Sequence, residues 1–469
     1  MSQTPSAPGR RSSRRGRRVN LTTLLAVLLP VLVGLALLLV RPADQPDTTA
    51  PPTLTALTRS TVVCPSALPD APEVAITSAG DGVSGSVEVG LGSDAAPAQV
   101  ASGTVTTADG GAGPVAVSGE DETAPGLVAA RFGAATPAVA TCLAPRADTW
   151  FTGVGAGAGH VSVLELTNPD PGTAVADVIV YGRHGVVDAP GLRGISVSGG
   201  TSVHVDLAAE IPRRDELAIE VVSARGRIGA TVLDRVDPLG RGATTEDWLP
   251  GQAEPATSNL LLGLAPGKDS RRTLVVANGG PDEVRASVQI VTARSVFSPQ
   301  GVSDLRIPPQ SAAKLNLTGT LAKLVADGDA TGILVTGTQP VTASMRSVTD
   351  GDLSHATADP SIDGAATVLL PDGDAARTLL LAGATSTGVV EVVSRSATGE
   401  QLGDDTVDIT PGRGVSVELP DGAALVTVTP KRTEVAGAVL LTGREGAAVV
   451  PLTMPALNGL VPAVRPGLP

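Results

Sequence analysis

Residues 164–182 read LELTNPDPGTAVADVIVYG, and this stretch decides the fold. Two runs rich in Val, Ile and Leu flank a segment of Asn, Pro, Asp and Gly, a pattern typical of strands joined by tight turns. Apolar residues alternate with other residues in ADVIVY (176–181) and again in SVHVDL (202–207). A period of two belongs to strands, whereas a helix repeats every 3.6 residues. No amphipathic helical pattern of twelve residues follows residue 60.

The same pattern recurs along the chain at a nearly fixed spacing. Three opening strands begin at a leucine, with a closing leucine 43, 43 or 40 residues later: Leu164 and Leu207, Leu274 and Leu317, Leu379 and Leu419. A fainter first copy runs from Val74 to Val117, again 43 residues. Self-similarity of this kind predicts one structural unit per copy.

The repeats predict an all-β fold of consecutive units. We name them β-unit 1 (62–147), β-unit 2 (148–240), β-unit 3 (241–355) and β-unit 4 (356–452), followed by a C-terminal tail (453–469). Units of about 100 residues with short strands and few helices are typical of immunoglobulin-like β-sandwiches. The alternative is a β-propeller, in which each copy supplies two four-stranded blades around a common axis.

The N-terminal region carries the pattern of a membrane anchor. Residues 19–40 are 22 residues without a charge, fifteen of them Leu or Val, and such a helix would span about 33 Å. Six arginines in residues 1–18 predict a cytoplasmic N-terminus by the positive-inside rule. We therefore expect a single transmembrane helix in the cell membrane, with the bulk of the chain extracytoplasmic. Residues 41–60, rich in Pro and Thr, predict an extended stalk; cleavage of the apolar segment as a signal peptide is the alternative.

Composition argues against several functions. Apart from the six N-terminal arginines, the chain has 28 basic and 47 acidic residues, a net charge of −19, which would repel nucleic acid. Asp-Gly-Asp occurs at 327–329, 350–352 and 372–374, and turns explain it more simply than calcium loops. The glycine-rich run 153–159 predicts a flexible junction, and the four histidines are expected to face solvent. No catalytic, cofactor-binding or metal-binding residues are predicted.

Two residue types nevertheless mark candidate sites. Cys64 and Cys142 are the only cysteines, and an even count outside the cytoplasm favours a disulfide; unpaired structural thiols are the alternative. Trp150, Phe151 and Trp248 lie in matching linker segments, WFTG and WLPG. We expect these aromatic residues to seal junctions between β-units, and they are the candidate residues for an interaction with a ligand or partner.

Four features resemble an uncharacterised family of actinobacterial envelope proteins that is defined by a domain of unknown function. They are the Arg-rich anchor, VVCPSA (62–67), CLAPRADTWFTG (142–153) and LELTNPDPGTAVADVIVYG (164–182). The family has no assigned activity. We therefore expect a non-enzymatic, single-pass scaffold or adaptor that displays tandem β-units to another envelope protein or a wall polymer. The alternative is an extracytoplasmic receptor for a glycan or calcium.

Overall fold

The computed structural model describes residues 21–39, 52–240, 242–267, 270–358 and 361–461. The predicted cytoplasmic tail (1–18) lies outside the described residues. A helix, α1 (Leu21–Leu39), falls within the predicted anchor. Among the described residues, none of the helices combines the length and apolar character needed to cross a membrane. The membrane-spanning role of residues 19–40 stays a prediction.

The chain divides into two compact units, residues 1–55 with 460–469 and Ala56–Gly459. A two-stranded sheet consists of β1 (Thr53–Ala56) and β35 (Asn458–Val461). Strand β2 (Arg59–Cys64) pairs along its length with a strand of β-unit 1, so regular structure begins within the segment 41–60 that was expected to be a stalk.

The remaining strands form four groups in chain order, and β18 pairs within the second group although its residues fall inside β-unit 3 (241–355). β-unit 1 continues with β3 (Glu73–Ser78), β4 (Ser84–Gly90), β5 (Ala96–Ala101), β6 (Thr106–Asp109), β7 (Val115–Glu120), β8 (Leu127–Phe132) and β9 (Val139–Thr141). The second group is β10 (Asp148–Gly157), β11 (His160–Asn168), β12 (Ala174–Gly182), β13 (Gly185–Val187), β14 (Ile195–Val197), β15 (Thr201–Asp206), β16 (Arg214–Arg225), β17 (Gly229–Val236) and β18 (Thr245–Leu249), with a short helix α2 (Leu207–Glu210).

The third group is β19 (Ala256–Leu262), β20 (Ser270–Asn278), β21 (Val284–Thr292), β22 (Val296–Phe297), β23 (Leu305–Ile307), β24 (Ser311–Asn316), β25 (Ala330–Thr349) and β26 (Asp352–Thr357), with helix α3 (Thr318–Ala326). The fourth is β27 (Ala366–Leu369), β28 (Ala376–Ala382), β29 (Gly388–Arg395), β30 (Gln401–Ile409), β31 (Val415–Glu418), β32 (Leu425–Lys431), β33 (Ala436–Thr442) and β34 (Ala447–Pro451). The all-β fold predicted beyond the N-terminal helix is confirmed.

All four groups share one antiparallel strand order. Numbered within its group, strand 1 pairs with strand 6, which continues to 3 and 4, while the second sheet runs 5-2-7-8. The two outer groups show this directly, as β2-β7-β4-β5 with β6-β3-β8-β9 and as β27-β32-β29-β30 with β31-β28-β33-β34. In the middle groups β13 with β14, and β22 with β23, together hold the place of strand 4. In the middle groups the sheets are joined, because β10 also pairs with β11 and because β25 supplies both strand 6 and strand 7. An immunoglobulin domain pairs strand 1 with strand 2 and strand 6 with strand 7. Neither of these pairings occurs in the first and fourth groups, where strands 1 and 2 lie in different sheets, as do strands 6 and 7.

The predicted repeat is visible in the strand registers. The residues just before the opening and closing leucines are direct partners in three groups: Val163 and Asp206, Thr273 and Asn316, Thr378 and Glu418. In β-unit 1 the predicted match of Val74 with Val117 is wrong. Val74 pairs with Ala108 of β6, while Val117 lies on β7 in the other sheet. The 43-residue spacing there is a coincidence of loop lengths.

Apolar packing joins each group to the next within Ala56–Gly459. One hydrophobic cluster contains side chains from both sheets of β-unit 1, such as Val74 and Val87. Another combines the core of β-unit 3 with Leu380 of β-unit 4, and a third combines the core of β-unit 4 with Ala75 of β-unit 1. Strand β18 contacts β26, β26 contacts β34 and β34 contacts β9. Trp248 on β18 packs against Ala140 of β9, which makes the contacts among the eighth strands cyclic.

Candidate functional site

In every group one residue of the first strand forms a backbone bridge with a residue just beyond the end of the eighth strand, and we call this contact a seam. The bridges are Val63–Leu143 in seam 1, Trp150–Gln252 in seam 2, Leu261–Ala358 in seam 3 and Thr367–Thr453 in seam 4. In seam 1 the adjacent residues, Cys64 and Cys142, form a disulfide with their Cα atoms 4.3 Å apart. The predicted disulfide is confirmed, and it ties the start of β-unit 1 to its end.

Seam 2 contains aromatic packing at the equivalent position. Phe151 and Gly251 occupy the places that the two cysteines hold in seam 1, each one residue from the bridge. A Cβ added to Gly251 would lie 3.0 Å from the Phe151 ring and 2.7 Å from Thr149. Glycine therefore leaves the space that the ring fills, and Phe151 is only 1% exposed.

The two tryptophans lie at junctions between β-units. Trp150 stacks on Tyr181, with ring centroids 5.0 Å apart, and packs against Val275 of β-unit 3. The indole Nε1 of Trp248 donates a hydrogen bond to the Ser66 carbonyl at 3.0 Å. The two indoles are 3% and 4% exposed. The candidate interaction residues are thus inside the protein and present no open ring face to solvent.

The glycine-rich run is not a flexible junction. Most of it belongs to the buried strand β10. A Cβ on Gly155 would overlap the His160 ring, and Gly153, at φ +93°, lies against Ser344 of β-unit 3. These glycines are needed for close packing, which composition alone does not distinguish from flexibility.

A buried polar cluster joins β-units 2 and 3. The Asp234 carboxylate accepts a hydrogen bond from Ser162, lies 2.9 Å from His160 Nε2 and lies 3.2 Å from His355 Nε2. Asp234 and Ser162 are fully buried. The expectation of solvent-facing histidines is therefore wrong for His160 and His355, because carboxylate partners far away in sequence bring them inside. His184 and His204 are exposed as predicted.

Arg346 of β25 completes this cluster. Its guanidinium binds Glu216 with Nη2–Oε1 at 2.7 Å and lies 2.7 Å from His160 Nδ1. A guanidinium can only donate, and the same Nη1 also lies 3.1 Å from His160 Nε2, the ring nitrogen that faces Asp234. Burial by itself raises the pKa of Asp234, but the two imidazoles outweigh it and hold that pKa below its usual range. Burial lowers the pKa of His355.

The cluster has the residue types of a hydrolytic triad but a different connectivity. A serine nucleophile needs a histidine that accepts its proton, and that histidine needs a carboxylate behind it. Here Ser162 donates directly to Asp234, and its oxygen accepts from the Gly155 backbone N–H at 2.9 Å. The arrangement links β-strands, and both histidines contact the Asp234 carboxylate instead of the Ser162 hydroxyl.

A second group of carboxylates lies where the eighth strands meet. Asp247 is directly opposite Asp234 in the β17–β18 ladder. Burial, then the charge of Asp352, raises the pKa of Asp247 well above its usual value. Burial also raises the pKa of Asp352 to about 6, although backbone N–H groups, including that of Ala447 at 2.9 Å, donate to it. Thr136 and Thr245 also bond to Asp352, so this carboxylate joins its own strand to β18, to β34 and to the loop between β8 and β9.

Beside the seams lies a cavity of about 340 Å³, which we call the seam cavity. Its walls are mainly apolar and come from all four β-units, with Val62, Phe151, Trp248, Ile362 and Leu452 among them. A further carboxylate pair lines a separate cavity of about 390 Å³ at Trp150. There, burial and the neighbouring Glu220 raise the pKa of Asp148 to about 6.

The Asp-Gly-Asp segments form turns. In the last of them the carbonyls of Pro371 and Gly373 accept hydrogen bonds from the buried Arg377, so a cation already occupies those oxygens. Within the part of the chain that the structure describes, no group of three or more His, Cys, Asp or Glu side chains is placed to hold a metal ion.

These observations define an all-β repeat protein, in which four groups of eight-strand topology are closed by seams and joined by buried polar contacts. The family model described as a family of unknown function (DUF5719) matches residues 104–420, and the chain belongs to this family. The predicted membership of a family defined by a domain of unknown function is confirmed. No curated protein and no solved structure matches the chain.

Proposed function

We propose that this protein is a non-enzymatic, single-pass envelope scaffold or adaptor, held in the cell membrane by residues 19–40 with its β-units outside. The observation that supports this most is the placement of the charged cluster around Asp234. Arg346 of β-unit 3 contacts Glu216 and His160 of β-unit 2. These charged side chains therefore hold the two β-units together. We propose further that the β-units are sandwiches arranged in a closed cycle, which the cyclic contacts among eighth strands support.

The rigidity of the junction between β-units 2 and 3 is tested by removing its buried ion pair. In an Arg346→Gln variant, Glu216 loses its ion pair, and we expect backbone hydrogen exchange in β10 and β25 to be at least tenfold faster. Arg235→Gln is the matched control, because the Arg235–Glu246 pair lies exposed within one sheet. Equal exchange in the two variants would contradict a scaffold held rigid by this cluster.

The outer sheet edges are the surfaces proposed for partners. Strand β30 is the edge of its sheet and carries exposed Asp404, Asp405 and Asp408, which suits a basic partner segment. A photocrosslinking residue at 405 should give a discrete adduct in the native envelope. The control is the same residue at Arg306, on the corresponding edge strand β23. Absence of any adduct at 405 would argue against an adaptor role for this edge.

The enzymatic alternative has a direct test. A fluorophosphonate probe modifies activated serines, so the wild type should show no more labelling than a Ser162→Ala variant. Labelling of the folded wild type at Ser162 would overturn the non-enzymatic proposal. A glycan receptor that uses the tryptophans gains no support from their burial.

A further inference from the structure

We propose that the seam cavity binds the acyl chain of a single-chain amphiphile with an anionic head group. The first observation is the cavity itself, of about 340 Å³, which lies within the size range of small-molecule sites. Its walls include Val62, Val128, Phe151, Val232 and Leu452. Apolar walls of this kind favour a hydrocarbon chain, because binding removes it from water.

The second observation is one cation. Arg146 is the only charged residue among those lining the cavity, and it is exposed. None of the ion pairs formed by the described residues involves Arg146. In a body whose net charge is strongly negative, an unpaired arginine beside an apolar cavity is suited to a carboxylate or phosphate.

The exposure of the residues that line the cavity agrees with this pairing. Met454 and Ala456, which also line the cavity, are exposed like Arg146. Phe151 and Trp248, in contrast, are buried at the inner wall. A chain whose head group binds Arg146 would place its hydrocarbon tail among the buried apolar side chains, which include the two aromatic residues. Methionine is flexible enough to adjust to such a chain.

The test uses a fluorescence reporter that the protein already contains. Trp248 lines the cavity and Trp150 does not, so a Trp150→Phe variant leaves one reporter at the site. Titration of this full-length variant with dodecanoate should give a saturable change in emission. The reciprocal Trp248→Phe variant should show none. Calorimetry on the wild type with the same ligand measures binding independently of either substitution.

Variants of the cavity and ligands with different head groups test which part of the amphiphile is recognised. Arg146→Gln should weaken dodecanoate binding about tenfold and leave dodecanol binding unchanged, while the control Arg306→Gln should change neither. Ala140→Leu, which fills the cavity wall, should abolish binding of both ligands with an unaltered circular dichroism spectrum. The proposal is overturned if dodecanoate does not bind the folded wild type, if dodecyltrimethylammonium binds as tightly, or if Ala140→Leu has no effect.

Discussion

Seams 1 and 2 occupy equivalent positions in their groups, but different side chains hold them closed. In seam 1 a covalent bond joins Cys64 to Cys142, whereas in seam 2 the Phe151 ring packs over Gly251. The backbone bridge is antiparallel in both. The comparison shows that strand order fixes where a β-unit closes, while the side chains that hold it closed are free to differ.

The largest effect is expected from removing the covalent closure. A Cys64→Ala, Cys142→Ala double variant loses a cross-link between residues 78 apart in sequence, which the chain-entropy model equates with about 4.5 kcal/mol. Equilibrium urea unfolding of the oxidised wild type and the variant measures the difference. A loss below about 1 kcal/mol would show that seam 1 is held by its other contacts.

Truncation of the aromatic closure should cost nearly as much. Phe151→Ala removes a fully buried ring and leaves a cavity, with an expected destabilisation of about 4 kcal/mol. The matched control is Phe297→Ala, since Phe297 is 37% exposed on β22 and should change the free energy of unfolding far less. Similar losses in the two variants would contradict a special role for Phe151.

The two seams should also respond differently to pH. The pKa of Asp148, at the start of β10, is raised to about 6, so folding favours its protonated form. Stability from this group should therefore fall as pH rises from about 4 through 6. Asp148→Asn should remove that slope, an effect on the order of 1 kcal/mol after allowance for partial exposure. Urea unfolding at pH 5 and pH 8 measures it, and an unchanged slope would contradict the assignment.

The smallest net change is expected from exchanging one closure for the other. Because Phe151 and Gly251 hold the places of the two cysteines, a Phe151→Cys, Gly251→Cys variant should form a disulfide in seam 2. The cross-link would offset the lost ring, leaving the free energy of unfolding within about 1 kcal/mol of the wild type. Thiol titration detects the bond, and two free thiols in the oxidised variant would show that the seams differ in geometry.

Part of this molecule could be predicted from its sequence. Alternation in stretches such as ADVIVY predicted the strands. The disulfide was predictable because a chain with only two cysteines offers a single possible pairing. Strand order was beyond reach, because alternation shows which face of a strand is buried but not which strand lies beside it. The burial of His160 was missed for a related reason, since Asp234 lies 74 residues away. Gly155 was misread because a residue without a side chain looks the same in a flexible loop and in a crowded strand.

The seams also determine when, during synthesis of the chain, each β-unit can finish folding. Each one joins residues separated by 80 to 102 positions, from Val63 to Leu143 and from Trp150 to Gln252. A unit therefore cannot close until its last strand has been synthesised and is free to pair, and such distant pairing is slow. A chain that ends before Thr453 would leave the fourth unit open, with unpaired strand edges exposed to aggregation.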